Sequence, residues 1–283
     1  FTDPAAFRQY LRRLRYVLAR WGYSTHLMAW ELWNEMNYLT ADSEPEYEID
    51  WCRRVARHIR QNDPYRHLVT TSLGADVIWD RLWRMEEMDF AQYHAYLSSN
   101  TWLLKDEEHD AVGYLASRLD RLRAYGKPFL AAEWGFHGTN DYNPLNARDK
   151  FGLHLHDAIW SVALGGAAGT VMPWWWDTYI DPRNLYFHYR AFAGFARGVD
   201  WSNNRWRPIR LHRSDLRVTG MACQQMILLW IQHPNDPDRE HWGLLYKKND
   251  TWYFQDPWNT SSGGVLDAWD VKNGETWMYS KLD

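Results

Sequence analysis

Apolar positions change period several times along the chain, and each change marks a new element. Phe7, Leu11, Leu14 and Leu18 recur at helical spacing between Asp3-Pro4, a cap followed by a first-turn proline, and Gly22. This predicts a helix over 3–21. The apolar run Leu27 to Trp33 is too short for a helix and closes at Asn34-Glu35, so it reads as a buried strand. The alternation continues with a helix over 44–62, a strand over 67–71, a helix over 76–87 and a strand over 90–96. A charged helix over 107–124 ends at Gly126, and Pro128 to Glu133 reads as the next strand. Phe151, Leu155, Ile159 and Val162 are in phase for a helix over 146–164; Gly169 to Trp174 then reads as a fifth strand, followed by a helix near 184–198.

Five strands, each followed by a helix, predict an α/β fold with a parallel sheet and helices packed outside it. Polar residues at the strand ends select between a barrel and an open sheet. Asn34 and Glu35, His94 and Tyr96, Glu133, and Trp174 to Asp177 all close different strands at their C-terminal ends. A (β/α) barrel gathers those ends at one mouth, whereas an open sheet spreads them along a crevice. We therefore expect a partial TIM-type barrel of about five βα units over 1–200.

After residue 200 the pattern shortens. Runs at 227–231, 242–246 and 251–254 are separated by turn-forming stretches such as Asn235-Asp236-Pro237-Asp238 and Ser262-Gly263-Gly264. Residues 201–283 are thus expected to form a small antiparallel β domain.

Composition alters this picture at one point. The chain carries 20 Trp and 17 Tyr in 283 residues, more than a core of this size needs, since Trp is rarely fully buried. Flat indoles suit the apolar faces of pyranose rings while keeping an N–H for a hydroxyl. A formal net charge of −4 gives no electrostatic reason to expect nucleic acid or an anionic membrane as partner. The early arginines, Arg12, Arg13 and Arg15, read as a solvated helix face. Cys52 and Cys223 lie far apart and are expected as free thiols, one on a helix and one in a β segment, with no Cys-x-x-Cys spacing for metal or redox chemistry. His154 and His156, two apart on a helix, do not share a face and make a poor metal pair. No apolar run reaches membrane-span length, and the chain opens at Phe1 without Met, so its targeting is not readable.

The chemistry rests on Trp30-Glu31-Leu32-Trp33-Asn34-Glu35 and Ala131-Ala132-Glu133-Trp134-Gly135. A glutamate closing a buried strand is costly unless it is paired or functional. Two of them three strands apart can face each other across one mouth, which is what retaining glycoside hydrolysis requires of its acid and its nucleophile.

At these residues the sequence resembles the barrel glycosidases of clan A, most closely glycoside hydrolase family 5 and its cellulase-like relatives, over roughly residues 1–200. The resemblance implies Glu35 as acid/base and Glu133 as nucleophile, with no cofactor and no metal. It further implies Asn34 on the sugar 2-hydroxyl, Tyr96 of the His94-x-Tyr96 pair on the nucleophile, and Trp174 or Trp176 as the floor of the sugar subsite. His94, Tyr96 and Trp134 are further candidates for substrate contact. The implied substrate is a β-linked oligo- or polysaccharide of β-glucan or β-mannan type; a catalytically impaired sugar-binding protein on a truncated barrel is the alternative. On this alignment residues 27–33 correspond to strand four. Counterparts of strands one to three, and of a strand-two arginine near the nucleophile, are then absent from the chain; either the sequence is a piece of a longer barrel or another subunit covers the open edges, and of the two self-association is the expectation. We expect a secreted or periplasmic location rather than a cytoplasmic one. Asn259-Thr260-Ser261 also fits a glycosylation sequon.

Overall fold

The computed structural model describes residues 1–39, 44–97, 111–138, 144–202, 205–212, 217–232, 240–248, 251–255 and 266–269. The sequon at 259–261 and the first residues of the expected 107–124 helix lie outside them. Two compact units emerge, one of residues 1–158 and 167–186, the other of 159–166 and 187–283.

The first unit opens with α1 (Pro4–Trp21), where Asp3 Oδ1 accepts from the backbone N–H of Ala5 at 2.6 Å and caps the helix as its sequence predicts. Leu14 and Leu18 form its buried stripe, and the Tyr10 hydroxyl donates to the Leu32 carbonyl at 2.7 Å. Next come β1 (Ala29–Glu31), α2 (Glu46–Asn62) and β2 (Leu68–Thr70), which pairs parallel with β1. The short α3 (Asp80–Arg84) leads to β3 (Ala91–Leu97), α4 (Ala111–Arg123) and β4 (Phe129–Phe136), again a parallel pair.

Side chains, rather than a continuous ladder, join the two pairs. Asp89 Oδ2 accepts from Val69 N–H at 2.6 Å, and Thr70 Oγ1 donates to the Phe90 carbonyl at 2.9 Å. The arc therefore runs β1, β2, β3, β4. Among the described residues β1 pairs with β2 alone. This is a partial (β/α) barrel, as the alternation predicted.

Three elements depart from the sequence reading. The helix expected over 76–87 shrinks to five residues, because Ala75 and Asp76 take positive φ values of 55° and 63° and hold the preceding segment as a loop. Arg118 of α4 anchors that loop by gripping both oxygens of Asp76, at 3.2 and 2.7 Å.

The helix expected over 146–164 divides into α5 (Pro144–Arg148) and α6 (Leu153–Leu164). Gly152 turns the backbone at φ 75°, and the Asp149 carboxylate accepts from the N–H groups of Leu153 and His154, starting a new helix. Burial raises the Asp149 pKa, but the hydrogen bonds from the His154 ring and the two backbone N–H groups outweigh it and hold the carboxyl far below its usual range.

The fifth strand, expected over 169–174, is reduced to a bridge between Pro173 and Trp134. Proline has no N–H to give a ladder. The segment nonetheless lies parallel along β4 through Ala168 N–H to Phe129 O, Met172 N–H to Ala131 O, and Trp174 N–H to Trp134 O at 3.0 Å. A π-helical turn over Trp176–Ile180 follows it.

The second unit contains α7 (Phe187–Ala196), where Phe192 and Phe195 meet the Trp160 indole edge-on at about 5 Å between ring centroids. Its sheet is antiparallel and strictly sequential: β5 (Arg207–His212), β6 (Arg217–Ala222), β7 (Met226–Gln232), β8 (Glu240–Lys248), β9 (Thr251–Gln255) and β10 (Leu266–Trp269). The expected runs became β7, β8 and β9; β5, β6 and β10 carry weaker apolar patterns and were not foreseen. Cys52 is buried on α2, and Cys223 lies just past β6; both are free thiols. Among the described residues no helix is long and apolar enough to cross a membrane.

Candidate active site

Glu35 stands one turn past β1 with φ at 49°, a left-handed conformation uncommon for a residue with a Cβ. Ser72, just past β2, holds it there. The Ser72 hydroxyl oxygen accepts from Glu35 N–H at 3.0 Å and donates to Glu31 Oε1 at 2.6 Å, with Asn34 Oδ1 at 3.2 Å. Glu133 is aimed by a different device. Tyr93 pairs with Ala131 but His94 pairs with Glu133, so Ala132 is an extra residue in β4. A bulge of this kind re-aims the side chain that follows it.

The two glutamates converge on His94. His94 Nδ1 lies 3.0 Å from Glu35 Oε1 and 3.4 Å from Glu133 Oε1, so that one ring nitrogen faces both carboxylates. The Tyr96 hydroxyl donates to Glu133 Oε2 at 2.5 Å. Two effects oppose each other at Glu133: desolvation raises its pKa, the Tyr96 bond and His94 lower it, and the net shift is upward. Tyr96 itself is pushed far above the ordinary phenol range by burial and by the carboxylate that its hydrogen serves.

These shifts give a directional expectation. If Glu133 must be ionised to react, activity is lost as pH falls through its pKa. Tyr96→Phe removes a bond that favours the ionised form, so the acid limb of the kcat/KM profile is expected to move to higher pH. An unmoved acid limb in the variant would separate Tyr96 from the ionisation of Glu133.

His94 Nδ1 and one oxygen from each glutamate all lie within 4.8 Å of one another, the one donor cluster of its kind among the described residues.

The tryptophans separate by burial. Trp134 is completely buried against Tyr114, so its indole belongs to the core and offers no face to a sugar; this corrects the expectation that it contacts substrate. Trp174 and Trp176 are 48% and 58% exposed. Trp175, between them, is buried, donates its indole N–H to the Phe136 carbonyl at 2.7 Å, and lies so close over Gly135 that a Cβ there would meet its ring at 2.8 Å. Asn34 is exposed beside Glu35, and His137 is exposed past the end of β4.

Sequence reasoning missed Ser72, Gly74, Asn37 and Tyr38. Ser72 and Gly74 lie just past the C-terminal end of β2, and the same strand-end rule that singled out Glu35 and Glu133 would have flagged that position.

No family model matches the chain. Among curated proteins it is similar to mannan endo-1,4-β-mannosidase A of Hypocrea jecorina, at 23% identity over 204 residues, covering 64% of this chain and 41% of the relative. It is also similar to mannan endo-1,4-β-mannosidase F of Aspergillus fumigatus, at 27% over 152 residues, covering 48% and 33%. The chain thus spans less than half the length of either relative. Its fold is similar to that of the endo-β-1,4-mannanase of Thermotoga petrophila, with a TM-score of 0.51 at 14% identity, covering 90% of this chain and 71% of that one. The endo-1,4-β-mannanase of Rhizomucor miehei gives 0.52 at 14% identity, covering 68% and 63%. With two glutamates closing separate parallel strands at one mouth, the chain is a partial (β/α) barrel similar to the clan A, family 5-like glycoside hydrolases.

Proposed function

We propose that the chain is a retaining β-glycoside hydrolase acting on β-mannan-type chains, with Glu35 as acid/base and Glu133 as nucleophile. One observation carries the reading: the two carboxylates, delivered by different strands, approach within 4.8 Å around His94. Retaining pairs stand about 5–5.5 Å apart, whereas inverting pairs need about 6.5–9.5 Å to admit a water. The mannan preference rests on the substrates named for the relatives of similar sequence.

In this mechanism Asn34 holds the sugar 2-hydroxyl, a contact that strengthens as the ring becomes oxocarbenium-like. Glu35 gives its proton to the departing oxygen while Glu133 attacks the anomeric carbon from the opposite face. The covalent glycosyl-enzyme is then opened by water, whose proton returns to Glu35, and the product keeps its β configuration. Tyr96 holds Glu133 in line, and Trp174 or Trp176 offers an exposed ring face to the sugar.

Intact-protein mass after incubation with activated 2-deoxy-2-fluoro β-mannoside and β-glucoside tests this directly. A single glycosyl adduct on Glu133 is expected. Sugar binding without adduct or turnover would instead identify a carbohydrate-binding protein.

Self-association is the second part of the proposal, supported by the edge of β1 that no described strand pairs. Light scattering across a dilution series is expected to show a mass above one chain; a constant monomer mass would dismiss it.

A further inference from the structure

The turn directly after Glu35 presents an aromatic side chain that the mechanism above does not use. Met36 to Leu39 form one 3-10 turn, and two of its side chains fasten it. Met36 is fully buried, its sulfur in contact with Cys52 Sγ at 3.6 Å and Thr71 Oγ1 at 3.7 Å. Asn37 is buried and clamps Gly74 from both sides: its Nδ2 donates to the Gly74 carbonyl at 3.1 Å, and its Oδ1 accepts from Gly74 N–H at 2.7 Å. With both neighbours anchored, Tyr38 is turned outward. It is 62% exposed, and no described residue takes its hydroxyl.

Tyr38 nevertheless lies against the reacting groups. The point where a Cβ would stand on Gly74 is 2.5 Å from Tyr38 Cε2 and 2.6 Å from Glu35 Oε1, so the ring and the carboxylate share the space that the glycine leaves open. Burial raises the phenol's pKa, and the charges of Glu35 and Glu133 raise it further, which places both carboxylates within electrostatic reach of it. An exposed aromatic held by a fastened turn loses little freedom when a ligand covers it.

Position along the arc tells which part of the substrate it meets. The order is β1, β2, β3, β4 and then the 168–174 segment, with Glu35 and Tyr38 at one end and Trp174 at the other. Glu133, next to Trp174, bonds to the sugar that stays. Glu35 protonates the oxygen that leaves, so the departing sugar lies on the β1 side.

We propose that Tyr38 is the platform for the leaving-group sugar, a specificity-determining residue that the first sugar beyond the scissile bond covers with its apolar face. This inference rests on the glycosidase reading above and refines it.

The test compares two probes on the same full chain. β-1,4-Mannotetraose places a sugar on both sides of the scissile bond, whereas 2-deoxy-2-fluoro-β-mannosyl fluoride has fluoride in place of the leaving sugar. For Tyr38→Ala, the loss in kcat/KM on the tetrasaccharide is expected to exceed the loss in labelling rate with the fluoride by about tenfold or more. Tyr38→Phe, which keeps the ring, is expected to recover most of the difference. Equal losses on the two probes, or no loss on either, would overturn the assignment of Tyr38 while leaving the glycosidase reading intact. A wild-type chain that neither labels nor turns over would remove that reading, and this assignment with it.

Discussion

Glu133→Gln is expected to lower turnover by at least about a thousandfold and to abolish the fluorosugar adduct, with the fold unchanged by circular dichroism. The amide is nearly isosteric with the carboxylate, so the packing around Tyr96 and His94 survives while the proposed nucleophile is lost. Glu35→Gln should behave differently, and the difference carries the assignment. Without the acid, substrates with poor leaving groups stall, but an aryl glycoside whose leaving group needs no proton still forms the covalent intermediate. That intermediate then accumulates, since no base remains to activate water, and an added anionic nucleophile such as azide is expected to restore turnover and release a β-glycosyl azide. Rates near wild type for Glu133→Gln would end the assignment. An α-configured azide product would show that the roles of the pair had been mistaken.

Gly74→Ala is expected to cost about a hundredfold in turnover although residue 74 carries no chemistry of its own. The added methyl would stand 2.6 Å from Glu35 Oε1, 2.7 Å from its carboxyl carbon and 2.5 Å from Tyr38 Cε2, distances at which something must shift. Asn37 grips the Gly74 backbone at both N–H and carbonyl, so the strand end does not yield. The side chains move instead, and a displacement of about 1 Å in a reacting group suffices for a loss of that order. The Gly74 φ lies outside the left-handed region, so alanine fits the backbone and the thermal midpoint should change little. A variant with wild-type rates would show that the close approach of Glu35 to Gly74 has no bearing on the reaction; a chain that fails to fold would show that the clamp matters more than the site.

Much of the architecture was readable in one dimension because its causes are local. The cap at Asp3, the stripe of Leu14 and Leu18, and the short runs that became β1 to β4 each express a period set by backbone geometry. The strand-end rule located Glu35, Glu133, His94 and Tyr96 because a parallel barrel delivers those ends to one mouth whatever the intervening helices contain. Where a local signal competed with a long-range one, the sequence misled. Residues 146–164 show one helical phase, yet Gly152 and the Asp149 cap divide them. Residues 169–174 read as a strand, yet Pro173 withholds the donor a ladder needs.

The burial of individual indoles was not readable at all. Trp134 and Trp174 sit in similar aromatic contexts; one is sealed in the core and the other stands in solvent, because each side chain's face is fixed by its neighbours in the sheet. The bulge at Ala132 illustrates the same limit, since one residue of slip between β3 and β4 sets where Glu133 points, and register belongs to the pair of strands. By itself, the sequence determined the alternating βα order and the residue types at the strand ends, for these follow from periodicity and from the cost of burying charge. Only the tertiary structure decided that Glu35 and Glu133 share one histidine, that Ser72 and Gly74 shape the space around Glu35, and that Tyr38 faces outward beside it. Those are contacts between segments some 35 to 60 residues apart, and no spacing along a single chain encodes a distance across the mouth of a barrel.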